Sequence, residues 1–234
     1  MRKPGHSIRS EFKSELAKLK EMTFTEKVSY IVTYYKHWFF IFLILCLVGF
    51  YVGDIIVQAG KETVLVGFFP NDEWDLFGSS RLEDDYRAAF PLEDNQNVYF
   101  EDNLYVDLEG NATEYTTTSN SKIMAYQANQ DLDFLLTPDY LFDHYAESLP
   151  MYDFRDLLPE DLVKELEPYF VYSEYEGTTG AYGLDMTQCR YIAGAGAGPE
   201  ERPEIEDTYI LFVPITAPRT DALVDYIHFL FDWQ

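Results

Sequence analysis

Basic residues are scarce over most of this chain. Beyond residue 60 there are nine Lys and Arg against 36 Asp and Glu, a net −27. Nucleic-acid binding needs clustered cations to displace counterions from phosphate, so that function class is excluded. Cysteine is nearly absent too. Cys46 and Cys189 lie far apart with no metal-ligand spacing, which gives no sign of a disulfide framework. Histidine is equally sparse. His6, His37, His144 and His228 include no pair at ligand spacing, so neither a zinc site nor a histidine-based catalytic centre is expected. No cofactor, resident metal or catalytic residue is expected.

What the chain does have is apolar and aromatic. It is 47% hydrophobic and 17% aromatic, which argues for a buried core and against disorder. Its 234 residues leave room for one ordinary domain and something extra. The charge is split: residues 1–37 carry eight Lys/Arg and four Glu, a net +4. Between the basic start and the acidic remainder lies Trp38–Gly53, sixteen residues without a charge. Asp54 interrupts the run and Ile55-Ile56-Val57 extends it.

A membrane-spanning helix needs roughly 20 mostly apolar residues. Residues 38–59 are therefore expected to form a single N-terminal transmembrane helix. Trp38, Tyr51, Tyr34 and Tyr35 suit its interfaces. The basic flank places residues 1–37 in the cytoplasm and residues 60–234 outside the membrane, by the positive-inside rule. A cleaved signal peptide does not fit, because its basic region would be far too long and no small-x-small site follows. Leu45 stands before Cys46 where a lipoprotein signal requires a small residue. Ser10–Met22 has Phe12, Leu16 and Leu19 at helical spacing with charges opposite. Such a segment lies on anionic lipid or docks a cytoplasmic partner. Thr23-Phe24-Thr25-Glu26 has capping-box form. The segment Met22–Trp38 (MTFTEKVSYIVTYYKHW) resembles the juxtamembrane stretch of small single-span membrane proteins of Gram-positive, clostridia-like bacteria.

In residues 60–234, short apolar runs alternate with helical patterns. Strands are expected at Thr63–Phe69, within Asn97–Leu108, at Leu132–Leu136, Phe170–Tyr172 and Tyr209–Val213. Helices are expected at Ser80–Phe90, Thr118–Gln130, Pro138–Glu147, Pro159–Leu166 and Arg219–Phe231. This order implies an α/β domain with a mixed, largely parallel sheet and flanking helices.

Several short motifs carry weak chemical signals. Gly194–Gly198 has the glycines of a phosphate loop, but Pro199 and four Glu follow it, so a plain loop is expected. Ser119-Asn120-Ser121-Lys122 matches a serine nucleophile with lysine one turn on, without that motif's companions. Asp107-Leu108-Glu109 and Asp72/Glu73/Asp75 offer oxygens to Ca²⁺ but lack the loop of a calcium-binding hand, so solvated acids are expected. The 19 Tyr and 18 Phe are expected mostly in the core, with sugar stacking as the alternative.

Three ordered pieces carry a family resemblance. They are Lys122–Thr137 (KIMAYQANQDLDFLLT), Tyr140–Leu158 (YLFDHYAESLPMYDFRDLL) and Tyr209–Leu230 with its Pro214-Ile215-Thr216-Ala217 turn. They resemble the extracellular solute-binding proteins of bacteria, type II, two-lobed, in a reduced, membrane-anchored form. The resemblance implies ligand contacts at the carboxyl ends of the strands, from Asn71, Trp74, Thr117, Ser119, Thr137, Asp139 and Tyr182. It implies a small neutral or cationic ligand, or assistance to a transporter. The alternatives are a non-catalytic domain docking onto another cell-envelope protein, and a wall-component hydrolase.

Overall fold

A computed structural model describes residues 23, 39–53, 57, 60–72, 76–193 and 208–232. The chain divides into two compact units, Met1–Gly60 and Lys61–Gln234. The expected segments Ser10–Met22, Met22–Trp38 and Gly194–Gly198, and the acids Glu73 and Asp75, lie outside the described residues or nearly so.

The expected transmembrane helix requires correction. Residues 39–53 are helical and exposed. Among the described residues, no helix is long and apolar enough to cross a membrane. The uncharged run ends at Asp54. The fifteen described helical residues 39–53 by themselves rise about 22 Å at 1.5 Å each, against a hydrocarbon core of about 30 Å. The lipid contact and membrane orientation expected above were built on that span.

The Lys61–Gln234 unit is built on one mixed sheet. Its elements are β1 (Glu62–Pro70), α1 (Ser79–Ala89), β2 (Gln96–Leu104), α2 (Glu114–Ala128), β3 (Phe134–Pro138), α3 (Asp139–Ala146), α4 (Phe154–Leu157), α5 (Glu160–Leu166), a 3₁₀ turn at Glu167–Tyr169, β4 (Phe170–Tyr175), β5 (Thr178–Asp185), β6 (Tyr209–Phe212) and α6 (Thr220–Phe231). The strand order is β2-β1-β3-β6-β5-β4. β1 pairs parallel with β2 and β3, and the β3–β6, β6–β5 and β5–β4 pairs are antiparallel. The parallel part is thus three strands rather than most of the sheet.

Side chains on the central strands alternate between two apolar layers, because neighbouring Cβ atoms point to opposite faces. Leu65 and Phe69 of β1, Phe134 and Leu136 of β3, and Leu211 of β6 pack against Leu82 and Tyr86 of α1 and Leu223, Tyr226 and Ile227 of α6. Val66, Phe68, Leu135 and Phe212 pack on the other face with Ile123 of α2 and Leu141 and Phe142 of α3. The crossover from β1 to β2 runs one way and that from β2 to β3 runs back. Right-handed crossovers then put α1 and α2 on opposite faces, as found. Gly67 is required by this packing. A Cβ there would sit 2.1 Å from the ring of Phe134, whose own partners are Phe69 at 5.7 Å and Phe100 at 6.0 Å.

Three elements differ from the sequence expectation, one of them the short helix α4 at Phe154–Leu157, which was not expected. α2 begins at Glu114, with Thr113 as its N-cap. The cap is reciprocal: the Thr116 amide donates to Thr113 Oγ1 at 3.1 Å, and the Thr113 amide donates to Thr116 Oγ1 at 2.9 Å. Threonine fills the place usually held by Glu or Gln. β5 was not expected. It joins β4 through Glu176 (φ 49°) and Gly177 (φ 78°), a two-residue hairpin turn with both residues left-handed.

Candidate functional site

The sheet's topological switch point is where a ligand is expected first. The chain leaves β1 toward α1 on one face and leaves β3 into α3 on the other. Asn71 sits there, 4% exposed with φ 59°. Its Oδ1 accepts from the Val106 amide at 2.7 Å, and its Nδ2 donates to the Val106 carbonyl at 2.9 Å and to the Tyr140 hydroxyl at 3.1 Å. Both amide hydrogens are used, so this residue ties the ends of β1, β2 and β3 together. The side chain acts as a structural clamp, with its polar atoms engaged within the fold.

The other expected contacts do not converge on one place in the fold. Ser119 is buried, and its Oγ accepts from the Tyr105 amide at 3.1 Å. Thr117 is exposed and donates to the Thr113 carbonyl at 2.8 Å. Asp139 is exposed and accepts from the Tyr140 amide at 2.7 Å. Tyr182 is half-buried, and its ring fills the space above Gly180. Trp74 lies outside the described residues. Thr137 is fully buried, and its hydroxyl has no hydrogen-bond partner among the described residues. Replacing it by valine removes a dehydrated hydroxyl and keeps the shape. Thr137→Val is expected to leave stability unchanged or raise it by up to about 1 kcal/mol in urea unfolding. A loss above about 1 kcal/mol would show that the hydroxyl has a partner.

The Ser-x-x-Lys motif is taken apart by the same packing. Lys122 pairs with Glu101, lies 5.4 Å over the Tyr99 ring, and shares Glu101 with the Tyr99 hydroxyl, which donates at 2.6 Å. Burial pulls the Lys122 amine down, but Glu101 and Tyr99 outweigh it and hold the pKa above its ordinary value. A protonated, paired amine is not a general base. Asp107 Oδ1 accepts from the Glu109 amide at 2.7 Å, and Asp72 accepts from the Leu76 and Phe77 amides at 3.0 and 2.8 Å. These acids organise turns. Among the described residues, no group of three His, Cys, Asp or Glu could hold a metal ion.

One polar centre was invisible in the sequence. Asp133 is fully buried at the start of β3. It accepts from the Val66 amide at 2.7 Å, from Arg219 Nε at 2.7 Å and from the Arg219 amide at 3.1 Å. Arg219 also donates to the Asp131 carbonyl at 2.5 Å. Burial pushes the Asp133 carboxyl above its ordinary value, against the pull of Arg219 and the two amides. Arg219 lines a hollow of about 620 Å³ at the amino end of β1, with Glu62, Asp131 and Asp221 also in its wall. The arginine is committed to Asp133 and three acids surround it, so this hollow does not suit an anion.

A second hollow is different in character. It holds about 370 Å³ between α2, α3 and the loop after β2. Val106 and Ile123 are its buried floor, and Tyr145 also lines it. Leu108 and Met124 stand as its walls, 44% and 68% exposed. Of the neighbouring Ile123 and Met124 on α2, only Ile123 is buried. Tyr105, Tyr115 and Tyr140, exposed at 40%, 48% and 42%, belong to the same three segments.

No protein-family model, no curated protein and no solved structure matches the chain.

Proposed function

We propose that the Lys61–Gln234 unit is a non-catalytic interaction module, docking onto another protein through α2, α3 and the loop after β2. The observation that carries this reading is the pair of apolar walls, Leu108 and Met124, left exposed around an apolar floor. Exposed apolar groups gathered at one place on a surface mark contact sites more often than scattered ones do. The clamp at Asn71 supports the same choice, because the polar side chain at the switch point is committed to the protein's own hydrogen bonds.

A ligand panel on the full chain tests the choice between docking and small-ligand binding. Sugars, amino acids, short neutral peptides and polyamines are each titrated while the melting temperature is followed. Docking predicts no saturable shift with any of them. A saturable upward shift that grows with ligand concentration, as mass action requires of a specific site, would overturn it.

A further inference from the structure

The charge around the α2–α3 groove narrows the kind of partner. Residues 103–152 contain eight acids and one cation, Lys122. That cation is bound to Glu101. Glu109 on the loop, Glu114 on α2, and Asp143 and Glu147 on α3 are exposed, and Asp107 lines the groove itself. The surface is therefore a slot with apolar floor and walls, lined also by Asn120, Gln127 and His144, in surroundings where acids outnumber cations. An anionic segment approaching it meets net repulsion, whereas cations are drawn in and find partners among these acids.

The shape of the slot completes the match. It is lined by two helices and a loop and by no strand residue, so strand addition does not fit it. An amphipathic helix can set apolar side chains at i, i+3, i+4 and i+7 into such a groove. A methionine wall adapts to the side chains it receives. Resting on the docking reading above, we propose that the partner presents a cationic amphipathic helix, with Leu-like residues entering between Leu108 and Met124 and Lys or Arg meeting Glu109, Asp143 and Glu147.

The test uses the full chain labelled with ¹³C at the methionine methyls and three synthetic 18-residue probes. One is an amphipathic helix of Leu and Lys, one has Glu in place of Lys, and one has the Leu/Lys composition scrambled to abolish the apolar stripe. The expected result is saturable binding of the Leu/Lys helix with a shift of the Met124 methyl, and binding about tenfold weaker or worse for the other two. Leu108→Ser with Met124→Ser, and separately Glu109→Gln with Asp143→Asn and Glu147→Gln, each weaken the Leu/Lys helix by about tenfold or more. The triple variant also flattens the dependence on salt.

Three results would overturn the proposal. The first is equal binding of the Glu helix at Met124, which would leave docking intact and remove the charge preference. The second is binding of the Leu/Lys helix that leaves the Met124 methyl unmoved, which is plain attraction to an acidic protein. The third is no binding by any probe. A photo-crosslinker at Met124 reads docking whatever the partner's charge, so the two readings fail separately.

Discussion

Replacing Arg219 by methionine costs the fold about 3–5 kcal/mol, because it strands a buried carboxylate. Asp133 is fully buried, and Arg219 contributes two of its hydrogen bonds, through Nε at 2.7 Å and the backbone amide at 3.1 Å. Methionine keeps the backbone bond and most of the volume, so the loss comes from the missing guanidinium. For a domain of this size the loss corresponds to a fall in melting temperature of roughly 6–20 °C. Changing both partners, Asp133→Leu with Arg219→Met, recovers much of the loss, since an apolar pair leaves no charge stranded.

The pH dependence has a definite sign. Burial raises the Asp133 pKa above the ordinary 3.8 even with Arg219 in place. Ionisation therefore works against the fold: the group's contribution is complete below pH 3.8 and declines as pH rises through its folded pKa. Removing Arg219 raises that pKa further. The stability gap between the native protein and Arg219→Met is expected to be widest at neutral pH and to narrow as acid neutralises the stranded carboxylate. Urea unfolding at pH 7 and in mild acid measures it; a gap that widens in acid would contradict the pairing.

Asn71→Ala is expected to cost about 3 kcal/mol. It leaves the buried Val106 amide without an acceptor, at about 1–3 kcal/mol, and puts alanine at a left-handed φ, at about 1–2 kcal/mol. Asn71→Gly relieves the second cost and keeps the first, so it falls between native and alanine. Asn71→Asp keeps the acceptor for Val106 but turns a carboxylate toward the Val106 carbonyl, and is expected to be worse at pH 7 than at pH 4. Thermal and urea unfolding of the three variants decide the matter. A ligand contact would behave otherwise: the alanine variant would keep its stability and lose binding.

β1, β3 and β6 were legible in the sequence because strands covered on both faces are short continuous apolar runs. TVLVGFF, LDFLL and YILFV lie on these strands or at their starts. β5 was not legible. It carries Gly180 and Gly183, which lower strand propensity. Both are there for contact: a Cβ on Gly183 would lie 2.7 Å from Ile210, and one on Gly180 would lie 2.5 Å from Tyr182. Asp133 sat inside an apolar run as one tolerated acid. Its partner is 86 residues away, a distance that no local pattern spans. The candidate site residues meet the same limit of local pattern. Asn71 and Thr137 stand at strand ends and Ser119 on the helix that follows β2, and a polar side chain there serves a ligand or the neighbouring backbone with the same residue type; Asn71 and Ser119 each bond backbone far along the chain. Met124 adjoins the buried Ile123, and one step of 100° around a helix carries it to the surface.

Docking through the α2–α3 face is tested most directly by photo-crosslinking in the cells that make the protein. A photoreactive phenylalanine replaces Met124 in the full chain, and in a second chain replaces Tyr172, which is also exposed at 51% but on the β4 edge. The expected result is one discrete adduct from position 124, absent from position 172 and lost when Leu108 is changed to glutamate. No adduct at 124, or the same adducts from both positions, would contradict it.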